Sequence, residues 1–460
     1  MNDFATIEAV IGPAVILWIC LRRRNPVPGF AGQVELAGIS LALGIGFTSS
    51  TFFLWRLTGL PLGWYAAADL AFQALVLALV MYRPRRVMQA PGADSRGHAR
   101  STLAVTGAIT AAAVCVGAVA FGYFTIRLPR GEWDAWSIWN LRAAFLSVPD
   151  GHWRDGFVST LAWSHPDYPL LVPASVARLW TFDESGAVFG PRLVAAAFVL
   201  SVALVMAGSV ARRAGPVGMS LALALLMVPT FLYWGASQTA DVPLGAFVLI
   251  AIAALSKPPG SRRYLLAGLA AGFAAWTKNE GLVAAAAIIL AGLAAARRDK
   301  NVRPDLLALV AGLAIAGLPL LLFKLTLAPE TDLVRQIISQ QPMEKATETA
   351  RHAFVAGYLA REFFLWGGLT PIPASTLLLA CIALAAVQWG GVPRDATTAT
   401  YVLAVMLVAY YWVYVLSPYD LEWHLRTSAT RLIAQVWPAM VWTVTTAMAG
   451  AAAAPAPFKA

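Results

Sequence analysis

The chain has 460 residues, of which 59% are hydrophobic and 13% charged. A soluble domain carries about 25% charged residues, so a water-soluble enzyme or binding module is excluded. The net charge of +10 does not mark a nucleic-acid partner, because the basic residues form short clusters at the ends of apolar runs and no continuous stripe.

Apolar runs of roughly 17–25 residues recur along the chain, each long enough to cross a bilayer as a helix. The expected crossings are 4–21, 34–54, 64–82 and 101–126, then 187–211, 216–233, 240–256, 264–277, 281–296 and 305–327, and finally 372–389, 399–416 and 428–449. The expected fold class is an all-α polytopic membrane protein with about 13 transmembrane helices. The run Leu170 to Trp180 is too brief for a crossing and reads as a short re-entrant or tilted segment. The chain then divides into N-terminal helices (1–126), a first outer loop (127–169), a transmembrane core (170–327), a second outer loop (328–361) and C-terminal helices (362–460) with an outer loop at 417–427.

Orientation follows from charge. The clusters Arg22-Arg23-Arg24, Arg83 to Arg86, Arg212-Arg213, Arg262-Arg263 and Arg297-Arg298-Asp299-Lys300 fall on one side if the runs alternate, which is the positive-inside signature. Asp3 and Glu8 precede the Arg triplet and predict an outward N-terminus. The long loops lie on the other side, and elaborated loops carry function more often than the scaffold does. Cys20, Cys115 and Cys381 lie inside apolar runs with no CxxC spacing, so neither a disulfide framework nor a zinc site is suggested.

Five polar stretches share the outer face. The first, Gly131-Glu132-Trp133-Asp134-Ala135-Trp136-Ser137-Ile138-Trp139-Asn140, sets two carboxylates among tryptophans. An acid partly desolvated there can be tuned as a base, while tryptophans also serve simply as interface anchors. The second holds His165 just before Pro166, and Asp167 and Tyr168 between Pro166 and Pro169, as a stiff turn or as part of a site. In the third, Asp241 precedes Pro243 and either caps the following helix or lies beside a substrate. The fourth, Lys278-Asn279-Glu280-Gly281, is either a solvated hairpin or the ammonium a lipid phosphate needs. The fifth, from Ser417 to Ser428 with Arg431 and Gln435 beyond, offers His424, Arg426 and Arg431. Arg431 lies inside an apolar run, where charge is costly and usually functional unless it snorkels out. A base at Asp134 with phosphate-binding cations at Lys278, His424 and Arg431, walled by aromatics, suits transfer from a lipid phosphate carrier. No His, Cys or carboxylate cluster has metal-ligand spacing, and transfer is expected to need no metal and no further cofactor.

These stretches also carry a resemblance. GEWDAWSIWNLRA from Gly131, HPDYPLL from His165, TADVPLGAF from Thr239, AAWTKNEGL from Ala274 and SPYDLEWHLRTSATRLIAQVWP from Ser417 resemble the polytopic membrane glycosyltransferases of the C superfamily. The likeness is to the bacterial branch containing protein O-mannosyltransferases and aminoarabinose transferases. The resemblance implies a polyprenyl-phosphate sugar donor, an extracytoplasmic site facing the periplasm or cell exterior of a bacterial-type inner membrane, and inversion at the sugar. It implies Asp134 as general base, with Glu132 as rival or supporting acid. Trp133, His165, Asp167, Tyr168, Asp241, Lys278, Glu280, His424, Arg426 and Arg431 become expected substrate-binding residues. Relatives often show adjacent acids where this chain has Glu132-Trp133-Asp134. The expected partners are the bilayer, the lipid-linked sugar and an acceptor hydroxyl on a lipid, glycan or protein, with no nucleic acid. The competing class is a transporter or lipid-linked sugar flippase, which tends to place polar groups at the bilayer midplane; here the midplanes read as nearly free of charge.

Overall fold

The computed structural model describes residues 3–24, 29–82, 100–149, 151–182, 187–299, 302–330, 337, 340, 342–367, 373–388 and 394–453. Among these residues every regular element is a helix. The first four are α1 (Asp3–Arg24), α2 (Gly29–Thr58), α3 (Tyr65–Tyr82) and α4 (Arg100–Arg127). The polar segment after α4 contains the short α5 (Asn140–Leu146) and two 3-10 turns, Gly151–Phe157 and Ser159–Ser164. Next come α6 (Leu171–Trp180), α7 (Phe189–Leu226), α8 (Pro229–Ala236), α9 (Asp241–Leu255), α10 (Ser261–Thr277), α11 (Glu280–Arg298) and α12 (Val302–Thr326). The chain ends with α13 (Pro342–Thr347), α14 (Thr349–Phe364), α15 (Ala374–Gln388), α16 (Arg394–Val415) and α17 (Leu421–Ala453).

Eight of the described helices are long and apolar enough to cross a membrane, or nine if α8 and α9, bent by 114° at their junction, form one broken span. The chain is a multi-pass helical membrane protein. The number differs from the 13 expected partly because α9 and α10 have only 15 and 17 residues, short of a hydrocarbon core of about 30 Å. The expected boundary between 187–211 and 216–233 is a break inside α7, where Gly215 takes φ 67° and ψ −168° ahead of Pro216. The latter crossing stops at Leu226, and Pro229 starts α8 at a position where its missing N–H costs nothing.

Helix α9 is apolar on every side and buried along its whole length, as expected for a central post. Around it stand α7, α10, α11 and α17. Close approach depends on small residues. A Cβ on Gly281 would lie 1.8 Å from the Ala274 carbonyl oxygen, so the α10–α11 turn needs glycine there.

Helix α6 settles the short apolar run. Ten residues span about 15 Å, too little to cross, and Leu171 to Leu179 are all buried. Arg178 anchors it: its guanidinium pairs with Asp69 of α3 and donates to the Ala9 carbonyl of α1 at 2.8 Å. A buried ion pair thus ties α6 to α3, one turn from the start of that helix. Tyr65 and Gln73 complete the shell of Asp69, at 3.4 and 2.9 Å.

The basic helix ends expected to face inward gather at one end of the bundle and are partly neutralised there. Arg212 and Lys257 pair with Glu35, and Arg263 pairs with Asp299. Arg83 to Arg86 and Lys300 lie outside the described residues, as do 331–336, 338, 339 and 341 of the expected loop 328–361.

Replacing Asp69 by Ala strands the Arg178 guanidinium, both side chains being no more than 3% exposed. Breaking one partner of such a pair costs roughly 3–5 kcal/mol. Thermal unfolding in detergent is expected to show a clearly lower midpoint, and an unchanged midpoint would contradict this role for the pair.

Candidate active site

At the end of the bundle opposite the basic clusters, Asp241 opens α9 with its side chain fully buried. Lys278 Nζ lies 3.0 Å from Oδ1, and Gln435 Nε2 donates to the same oxygen at 2.6 Å. Arg431 Nε donates to Oδ2 at 3.1 Å. Both cations reach further: Lys278 pairs with Glu280 at 2.8 Å, and Arg431 Nη1 donates to Asp134. Three carboxylates face two cations, leaving one negative charge in excess.

This arrangement decides what Asp241 does. The N-cap position is Ala240, and Asp241, the first residue of the helix, binds the two cations. Burying a carboxylate costs several kcal/mol unless charge and hydrogen bonds compensate, and here two cations, an amide and the positive end of α9 do so. Tyr410 donates in turn to Gln435 Oε1. The sequence reading had Gln435 only as a neighbour of Arg431 and missed Tyr410.

The two acids of the first loop part company. Glu132 accepts from the Tyr233 hydroxyl of α8, while Asp134 joins Arg431. The chain here is bound against the turn before α9. The Glu132 N–H donates to the Ser237 carbonyl at 3.2 Å, and Gln238, at φ 58°, places its side chain 3.3 Å from Asn140. Gly131, at φ 74°, has no room for a Cβ, which would lie 2.5 Å from Ser237 O. Ala135–Trp139 form one π turn, a wide turn found frequently at functional sites. It buries Ser137 and Trp139 and leaves Trp133 and Trp136 exposed, their ring centres 4.3 Å apart.

The second stretch lies alongside. Asn279 donates to Asp167 Oδ2 at 2.9 Å, and Lys324 donates to the Asp167 carbonyl at 2.6 Å. Lys324 was overlooked in the run 305–327, although a lysine in an apolar span is itself a signal. Arg142, also missed, donates to the Ser164 carbonyl at 2.9 Å and its hydroxyl at 3.1 Å. His165 follows in the left-handed region, at φ 47° and ψ 62°, a conformation few non-glycine residues adopt without surrounding support. Its ring stacks on Tyr168 at 4.8 Å, and Tyr168 leans on Trp139 at 5.7 Å.

His424 stands apart from the ionic cluster, bonded to Ser417 Oγ at 2.8 Å and packed between the rings of Tyr414 and Tyr419. Arg426 is exposed. Thus Asp134, Asp241, Lys278, Glu280 and Arg431 form one cluster, and His165, Asp167 and Tyr168 lie near it. Glu132, Trp133 and His424 make other contacts, and Arg426 is exposed. Among the described residues no group of three or more His, Cys, Asp or Glu side chains is placed to hold a metal ion.

Fold and site together define a multi-pass helical membrane protein with a buried ionic cluster at one end of its bundle, assembled from chain segments far apart in sequence. A family model described as dolichyl-phosphate-mannose-protein mannosyltransferase matches residues 164–323, about a third of the chain. The match supports a membrane glycosyltransferase. It takes in His165, Asp167, Tyr168, Asp241, Lys278 and Glu280, and leaves Asp134 and Arg431 outside. No curated protein and no solved structure matches the chain.

Burial pushes the His165 imidazole below its ordinary value, against the opposing pull of Asp167 and Asp134. The folded chain then binds fewer protons here than the unfolded chain. This contribution to stability is complete above the unfolded pKa of about 6.5 and is lost as pH falls toward the lower folded value. Thermal midpoints compared at about pH 7 and about pH 5 are expected to fall less for His165→Gln than for the parent. Equal losses would remove His165 as a source of that dependence.

Proposed function

We propose that the protein moves a sugar from a polyprenyl-phosphate donor to a hydroxyl on a lipid, glycan or protein, at the extracytoplasmic face of a bacterial-type inner membrane and with inversion. The observation that carries this reading is the Asp134–Arg431–Asp241–Lys278–Glu280 cluster, built on helices within and beside the matched segment. Asp134 is the general base. It takes the proton of the acceptor hydroxyl while that oxygen attacks the anomeric carbon. The bond from this carbon to the lipid phosphate breaks on the opposite face, and its electron pair leaves with the phosphate. Arg431 orients Asp134 through their ion pair and supplies positive charge beside the reacting atoms. Asp241 and Lys278 are positioning residues for Arg431 and Glu280.

Asp134 is one quarter exposed, whereas Asp241 is fully buried. Asp134→Asn therefore leaves Arg431 paired with Asp241 and the fold intact. Transfer from labelled lipid-linked sugar is expected to drop by at least about a hundredfold, the lower end of what a positioned base contributes. Glu132→Gln is expected to keep most activity. Full activity of Asp134→Asn would sink the assignment, and loss in Glu132→Gln alone would exchange the two roles.

Each of the three carboxylates is in direct contact with Lys278 or Arg431, and the reading assigns no role to a divalent cation. Transfer is expected to persist in EDTA, and loss restored by added magnesium or manganese would overturn this part.

One observation favours a second reading, a transporter or lipid-linked sugar flippase. The break between α8 and α9 sets a charged residue at the start of a half-helix, a device transporters also use. Movement of lipid-linked sugar across vesicles with no product formed would favour it over transfer.

A further inference from the structure

Beside the Asp134 loop a groove of about 430 Å³ is lined by Arg127, Leu128, Pro129, Arg130, Gly131 and Trp136. Both arginines are exposed, and among the described residues neither is paired with a carboxylate. The other cations around the site are committed. Lys278 and Arg431 are held by Asp241 and its neighbours, Lys324 by Asp167, and Arg142 by Ser164. A phosphate at Arg431 competes with two carboxylates; one at Arg127 and Arg130 competes with none.

The groove is built. Its floor is held from behind by Gln238, whose Nε2 lies 3.4 Å from Leu128 O and 3.5 Å from Pro129 O, and by Arg192, which donates to Pro129 O at 3.1 Å. Gly131 sits against Ser237 with no space for a side chain. Leading up to it along α4 is an apolar flank: Val119, Tyr123 and Ile126, spaced for one helix face, are 73%, 57% and 77% exposed. Arginines at this end of α4 also run against the positive-inside pattern of the rest of the chain. An apolar stripe ending in two guanidiniums, with Trp136 on the side of the base, has the chemistry of an isoprenoid phosphate. Guanidinium forks bind phosphate oxygens in pairs.

We propose that this groove holds the phosphate of the lipid-linked donor, with Arg127 and Arg130 on its oxygens and the polyprenyl chain along Val119, Tyr123 and Ile126. The proposal rests on the donor class inferred above. It transfers phosphate recognition from Lys278, His424 and Arg431, which the sequence nominated, to two arginines it did not.

The test uses the full chain in nanodiscs of zwitterionic lipid and a radiolabelled long-chain polyprenyl phosphate without sugar. Losing two charge-assisted contacts is expected to weaken binding on the order of ten- to a hundredfold in Arg127→Gln/Arg130→Gln. Arg127→Lys/Arg130→Lys is expected to recover part of it, and Arg303→Gln, at the other end of the bundle, to leave it unchanged. Equal binding by the double Gln variant with an unchanged thermal midpoint overturns the groove. Competition by phosphatidylglycerol as strong as by polyprenyl phosphate also overturns it, by showing a site for any anionic headgroup. Asp134→Asn keeps the proposals apart. If it binds polyprenyl phosphate normally and still transfers sugar, the base assignment fails while the groove stands. If it is inactive and the double Gln variant binds and transfers like the parent, the groove fails while the base stands.

Discussion

A buried carboxylate is the constraint from which the candidate site follows. Asp241 begins the central helix with no exposed surface, so its charge must be answered from within the protein. The answer comes from residues 37, 190 and 194 positions away, on the α10–α11 turn and on α17. Once Lys278 and Arg431 are fixed to it, their remaining donors point outward, to Glu280 and to Asp134. The loop after α4 can then close over the end of the bundle with its acid aimed at a cation already in place. The broken α8–α9 junction creates this geometry by bringing a helix start to the level where three other segments turn.

Much of this was legible before any coordinates, for a physical reason. In a chain this apolar, polar residues inside or beside a crossing are expensive, and the five stretches that held them are the ones that meet. The alternation of crossings with the basic clusters put all five on one face. Pairing was not legible. Lys278 and Arg431 read as free cations because sequence spacing carries no information on which carboxylate answers them. Asp134 was preferred over Glu132 only through the resemblance, and the different partners of the two acids, Arg431 and Tyr233, could not be read from spacing. Lys324 and Tyr410 were hidden in apolar runs, and Asp69 and Arg178 formed a pair whose halves lie 109 residues apart. The short central helices, 15 and 17 residues long, were read as ordinary crossings.

The charge inventory sets the chemistry. The inner cluster holds its cations in a fixed network, suited to orienting a base and stabilising charge without rearrangement. Arg127 and Arg130 stand outside that network, where the lipid-exposed flank of α4 ends. On the proposed reading, base and phosphate contacts are divided between these two neighbouring layers, with the exposed Trp133 and Trp136 beside them. The family match covers part of the scaffold of the inner cluster and includes neither Asp134 nor α17.

The central claim, sugar transfer from a lipid-linked donor, is most directly tested by mass spectrometry of lipid-linked sugars and envelope glycans from cells with and without the protein. The account predicts that one sugar-modified species disappears while a polyprenyl-phosphate sugar of the same composition accumulates, and that cells carrying Asp134→Asn match the deletion. Identical lipid and glycan profiles in all three strains would contradict it.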